Sequence, residues 1–291
     1  MQTEFPPLPY VAVAEAFKLP AGMNFRGTSG VAFNSKGNIF VIHRGPMSVM
    51  EFDADGIFIR GFGDGLFERA HGLRIDAEDN IWATDVASNL AYKFDPDGRL
   101  EMVLGVKGHS GEWHPFGHLR LLHEPNEAVV GPSRDIFVLQ GHGKAESLVL
   151  KFDRDGNFIK SWGGKGRGPG QLNLPHSLVF DAQGLLYIAD RNNARIQVFD
   201  ADGNYIRESQ HPGTPCGLFM GADQHIWLAH GHTGQIMKLD LNGKVVGSMA
   251  NAGTGKIPGK YGEAHYIAVS PRDEVFVADT LNWRVQKYIR K

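Results

Sequence analysis

Residues 174–203, LPHSLVFDAQGLLYIADRNNARIQVFDADG, read as three short strands: HSLVFD, then LLYIAD after an Ala-Gln-Gly turn, then ARIQVFD after an Arg-Asn-Asn turn, with Ala-Asp-Gly closing the unit. Apolar and polar residues alternate within each strand, and every turn carries Gly, Asn or Asp, the residues that tolerate tight backbone reversals. The same frame recurs when each copy is anchored on two positions fourteen residues apart, one at the start of the first strand and one at the end of the second. Six anchor pairs emerge: Ser29 and His43, His71 and Asp85, Asn126 and Gln140, His176 and Asp190, Cys216 and His230, His265 and Asp279. The third strands end in register as EFDADG, KFDPDG, KFDRDG, VFDADG and KLDLNG, and the sixth copy runs out at the C-terminus. First anchors lie 42, 55, 50, 40 and 49 residues apart, which is the spacing of propeller blades joined by loops of unequal length.

The Gly-rich lead GGKGRGPGQLNLPHSL and the YIADRNNARIQVFD core resemble the NHL-repeat family of six-bladed β-propellers, and the resemblance covers nearly the whole chain. It implies an all-β, six-bladed propeller forming a single domain over residues 1–291. Full units supply a fourth strand after the third turn, as in FIKSWG and YIRESQ, but the sixth ends at Lys291 with none left. Tyr10 to Phe17, YVAVAEAF, is the remaining strand-like run. It is predicted to close the ring as the outer strand of the last blade, removing an exposed sheet edge.

Composition narrows the function. The chain has 30 Lys and Arg against 32 Asp and Glu, a net charge of −2, so there is no electrostatic case for a nucleic-acid or anionic-membrane partner. The single cysteine, Cys216, cannot form an internal disulfide, and its place at a first anchor predicts a small buried residue. No basic segment followed by a long apolar run opens the chain, and no apolar stretch of membrane-spanning length occurs. The expectation is a cytoplasmic protein, with a secreted mature form as the alternative. Oligomeric state has no signature in the sequence.

The chemistry lies in the first anchors. Inner strands of a propeller line its central channel, so equivalent anchors form a ring about one axis. Histidine occupies that ring in blades two, four and six, which places His71, His176 and His265 roughly 120° apart and converging. Three imidazoles leave a coordination position free, as in catalytic rather than structural zinc sites. Zn2+ is the expected ion, with another first-row transition metal as the alternative. A lone histidine in such a wall would simply bond a neighbouring carbonyl; three in alternate blades favour metal. The connection before blade three, GVKGHSGEWHPFGHLRLLHEP, carries four more histidines at irregular spacing and is expected to be a surface loop or lid.

The triplet in AHGL, LPHSL and EAHY resembles the zinc triad of peptidyl-α-hydroxyglycine α-amidating lyases, six-bladed enzymes that cleave a carbinolamide C–N bond to an amide and glyoxylate. That family also uses an arginine after the second strand of blade one and another in blade four. Arg44 in HRGPM and Arg191 in DRNNAR stand at those places. Two guanidinium forks near the mouth suit a substrate carboxylate.

The chain departs from the family at three positions. His142 stands where a catalytic tyrosine is expected, and as a base it would titrate near neutrality. Glu263 replaces a methionine two residues before the third histidine; it is a candidate metal ligand, general base or salt-bridged rim residue. Tyr266 replaces an aspartate associated with structural Ca2+, which makes a calcium site doubtful, and simple strand alternation points it away from the channel. The reading is a metal-dependent lyase acting on a small or peptide-derived carboxylate substrate, with Arg44, His142, Arg191 and Glu263 as its catalytic candidates. The alternatives are a non-catalytic propeller that binds a peptide or protein, and a metal-dependent lactonase or other hydrolase.

Overall fold

In a computed structural model that describes residues 5–111, 121–143, 146–249 and 253–291, six four-stranded antiparallel sheets follow one another around a central axis. Their inner strands are Gly30–Phe33, Ala70–Ile75, Pro125–Val130, Pro175–Phe180, Pro215–Met220 and Ala264–Val269, one from each of the six repeats. Blades one to five each turn into their fourth strand through an Asp-led reversal. In blade four, Asp200 Oδ1 accepts the backbone N–H groups of Asp202 and Asn204, both at 2.9 Å, while Gly203 takes a left-handed φ of 85° that side chains disfavour.

The apolar alternation feeds six wedges, one between each pair of neighbouring blades. Phe40 and Ile42 of blade one meet Leu73 and Tyr92 of blade two, and so on round to Phe276 of blade six against Val41 and Phe52 of blade one. Closure comes from the N-terminus, as the sequence predicts. Tyr10–Val13 pairs antiparallel with the last strand, Arg284–Arg290, with Tyr10 opposite Arg290 and Val13 opposite Lys287. The strand is shorter than the predicted Tyr10 to Phe17 because Glu15 takes a φ of 53°, which breaks the extended run. Phe17 instead turns into the wedge between blades six and one, edge-on to Phe25, Phe52 and Phe276.

Two devices aim side chains at the axis. Asp85, Asp190 and Asp279, at the second anchors, are fully buried and gather the loops that lead into their own blades; Asp85 accepts the N–H groups of Glu68, Arg69, Ala87 and Ser88. In blades two to six, a register shift between the first two strands falls at the first anchor, between Ala70 and Leu73, Pro125 and Glu127, Pro175 and Ser177, Pro215 and Gly217, and Ala264 and Ile267. Such bulges redirect side chains out of strict alternation. Of the long histidine-bearing connection before blade three, residues 112–120 lie outside the described residues, His114 and His118 among them, and the lid reading with them.

Candidate metal centre

His71, His176 and His265 meet on the axis as the repeat predicts. Their ring centres are 4.9, 4.8 and 4.7 Å apart pairwise, and none is more than 2% exposed. Two of the three are tethered from outside. His71 Nδ1 donates to the carbonyl of Asn126 at 2.9 Å and His265 Nδ1 to that of Ser29 at 2.7 Å. A carbonyl only accepts, so each proton sits on Nδ1 and each Nε2 lone pair is left over, the outer bracing typical of metal-ligating histidine. These tethers belong to a chain of contacts from each anchor to the next blade: Ser29 Oγ donates to the Ala70 carbonyl at 3.1 Å, and Asn126 Nδ2 to that of Pro175 at 2.5 Å. The chain stops at His176. Among the described residues neither of its ring nitrogens has a partner, nor does His71 Nε2.

Burial, followed by the neighbouring imidazoles and arginines, holds His71 and His176 well below the usual histidine range, and burial brings His265 down to about 4. All three are therefore neutral at physiological pH, the form in which imidazole binds a metal. Buried, neutral, unpartnered nitrogens otherwise carry a desolvation penalty, so the donor set fits a divalent transition metal.

His142 joins the same cluster. It follows the second strand of blade three, its ring centre lies 4.8 Å from that of His71 and 6.0 Å from that of His176, and ligand atoms of His71, His142 and His176 all fall within 4.8 Å of one another. The expectation that it titrates near neutrality is corrected: burial first, then the positive charges of Arg69, Arg191 and Arg44 among its neighbours, brings it down to about 3.

The remaining candidates rim the cluster. Arg191, at the start of a short 3-10 turn after Asp190, donates through Nη2 to Glu263 Oε1 at 3.2 Å and lies 3.1 Å from His232 Nε2. Glu263 is thus ion-paired. Burial opposes its ionisation, yet His265, Arg191 and His232 together hold its carboxyl below the ordinary range. Arg44 donates from Nε to the Ala70 carbonyl at 3.3 Å and has no carboxylate partner among the described residues. It lines an opening of about 380 Å³ with Arg26, Asp64 and Glu68. Cys216 is buried, and burial pushes its thiol up to about 12, so it is no nucleophile.

Two features lie outside the sequence reading. Tyr266 does not point away: the bulge at Ala264–Ile267 turns it inward with His265, and its hydroxyl donates to the carbonyls of His176 at 2.8 Å and Asn126 at 3.2 Å. Beyond it, Arg74 and the fully buried Glu127 form an ion pair at 2.6 Å, with Arg74 Nη2 reaching the Leu218 carbonyl at 2.7 Å and the guanidinium over the Tyr266 ring. Charged residues inside inner strands, three after His71 and one after Asn126, were the available signal. Arg74 also lines a cavity of about 690 Å³ at the other mouth, floored by Val31, Phe33, Phe219 and Trp227.

Comparison with known proteins agrees with this architecture. The NHL repeat family model matches residues 172–199. Mouse peptidyl-glycine alpha-amidating monooxygenase is 32% identical over 232 residues, covering 68% of this chain and 23% of that protein. Peptidyl-alpha-hydroxyglycine alpha-amidating lyase 1 of Drosophila melanogaster is 26% identical over 317 aligned positions, covering 90% of this chain and 57% of that one. The chain thus spans only part of these relatives, under a quarter of the mouse protein. A gluconolactonase from Xanthomonas campestris superposes with a TM-score of 0.70 over 99% of this chain and 98% of its own at 15% identity, a likeness of fold alone. The chain is a six-bladed β-propeller that carries an NHL repeat at residues 172–199, and in sequence it resembles the peptidyl-alpha-hydroxyglycine alpha-amidating lyases.

Proposed function

We propose that the protein is a metal-dependent lyase that cleaves the C–N bond of an N-acyl-α-hydroxyglycine or a closely related carboxylate-bearing carbinolamide, giving an amide and glyoxylate. The observation that carries this reading is the set of buried, neutral imidazoles on the propeller axis, with nitrogens of His71 and His176 unpartnered among the described residues. The lyase-named relatives supply the reaction class. His71, His176 and His265 would hold the ion, with Zn2+ favoured; a bound divalent metal supplies Lewis acidity that lowers the pKa of a hydroxyl.

The chain's own groups do the rest. Arg44, with no carboxylate partner among the described residues, presents its fork to the substrate carboxylate, with Arg191 on the opposite rim adding positive charge. Glu263, kept ionised by its neighbours, accepts the hydroxyl proton. The carbonyl of glyoxylate forms as the C–N bond breaks, and the departing amide nitrogen takes back the proton that Glu263 accepted from the hydroxyl. Buried walls around the histidines exclude water from competing at that carbon.

The test is glyoxylate release from an N-acyl-α-hydroxyglycine by the metal-loaded protein, beside its His176→Ala variant and an analogue lacking the carboxylate. Release by the wild type alone, and from the carboxylate compound alone, is expected. No release, or release that survives His176→Ala, would sink the reading.

A further inference from the structure

We propose that His142 is a fourth metal ligand, closing a four-imidazole shell in the resting protein and giving up its place when substrate arrives. This rests on the metal-holding reading above and assigns His142 to the ion rather than to proton transfer. Imidazoles bonded to one tetrahedral ion at zinc-like distances have ring centres about 5 Å apart. Five of the six ring pairs among His71, His142, His176 and His265, all but His142 with His265, run from 4.7 to 6.0 Å and bracket that spacing, and the ligand atoms that fall within 4.8 Å of one another are those of His71, His142 and His176.

The four are not held alike. His71, His176 and His265 lie within inner strands, and two of them are braced by carbonyls of the next blade. His142 lies beyond the end of its strand, between Gly141 and Gly143 at φ 118° and 83°, backbone conformations open mainly to glycine. Its backbone is tied through the N–H groups of Gly141 and His142 to the carbonyl of Glu124. A closed four-ligand shell is the structural kind, whereas catalysis requires an open position. The ligand on the glycine-flanked turn is the one whose removal disturbs no strand. His142 would be the residue to yield its place to a substrate oxygen, and His71, His176 and His265 would keep theirs, so the number of donors would be unchanged.

Cobalt(II) provides the test, because its visible absorption reports coordination number and donor set. Metal-stripped protein is titrated with cobalt(II) alone, comparing wild type with His142→Ala and His142→Phe, the latter keeping the bulk of a ring. The expected result is an intense tetrahedral spectrum in the wild type, with affinity at least about ten-fold weaker and an altered spectrum in both variants, since even outer-shell changes produce losses of that size. Variants that match the wild type in affinity and spectrum overturn the fourth ligand while leaving the three-histidine site standing. So does a loss confined to the alanine variant, which points to distortion of the turn. A wild type that takes up no cobalt(II) overturns both readings.

Discussion

The hydroxyl of Tyr266, on blade six, donates across the axis to the carbonyl of His176, on blade four, at 2.8 Å. A metal-ligand candidate is thereby held from below by a side chain whose own neighbour in sequence, His265, belongs to the same cluster. Tyr266 in turn lies under the Arg74 guanidinium, so the floor beneath the histidines is built from one phenol and one buried ion pair.

That ion pair is an exposed weakness of the design. Glu127 is fully buried, and its carboxylate also accepts the Ser177 hydroxyl and the Leu178 N–H. Glu127→Ala leaves Arg74 without its counter-charge and is expected to lower unfolding free energy by about 3–5 kcal/mol. The double change Arg74→Met with Glu127→Leu should cost much less. Denaturant unfolding of the three proteins decides it; equal losses from the single and double variants would show that charge pairing is not what matters there.

The substrate clamp is tested at Arg44. Arg44→Lys keeps the charge and loses the planar fork, and is expected to lower kcat/KM for an N-acyl-α-hydroxyglycine by about ten-fold or more with metal content unchanged. Indifference of kcat/KM to the substitution would remove Arg44 from substrate binding.

Ring closure is tested by deletion through Phe17. The truncated chain loses the Tyr10–Val13 strand and the aromatic contacts of Phe17, so a large drop in melting temperature or aggregation of the exposed edge is expected. An unchanged melting curve would rule out any contribution of the strand to the ring.

Acid sensitivity follows from histidines remote from the axis. Burial lowers His211 to about 4, so the folded protein holds it neutral while the unfolded chain protonates near 6.5. The unfolded state therefore binds the extra proton in that window. The stabilisation is complete above about pH 6.5, falls as pH drops toward 4, and changes no further below. Between pH 7 and 5 this one residue accounts for about 2 kcal/mol. His211→Gln should flatten the fall in thermal stability over that interval; an identical slope in the variant would refute the assignment.

How much was legible in the sequence divides along range. The six anchor pairs, the Asp-Gly turns and the converging His71, His176 and His265 depend on local alternation and on a repeat that counts itself. The strand at Tyr10 was legible by elimination, as the run left over when the last blade lacked a fourth strand. The inward turn of Tyr266 was not, because alternation assumes an unbroken register and the bulge at Ala264–Ile267 breaks it. The ion pairs of Arg74 with Glu127 and Arg191 with Glu263 join different blades, and nothing in either local stretch names its partner. The depressed titration of His142 arises from burial and from arginines on other blades, again invisible to a local reading.

The pairing of Tyr10 with Arg290 also sets the order in which the molecule can be made. The last blade combines a strand that precedes every repeat with a partner from the last of the six repeats. Blades one to five are each built from consecutive strands and can assemble as they are synthesised, but the sixth stays incomplete until Arg284–Arg290 has emerged. Its closing contact joins Tyr10 to Arg290 across all six repeats, and contacts of that sequence separation slow folding. Closure of the ring should therefore be the slow step of folding, and a circularly permuted chain with its termini placed between two complete blades should acquire its native state faster than this order of strands does.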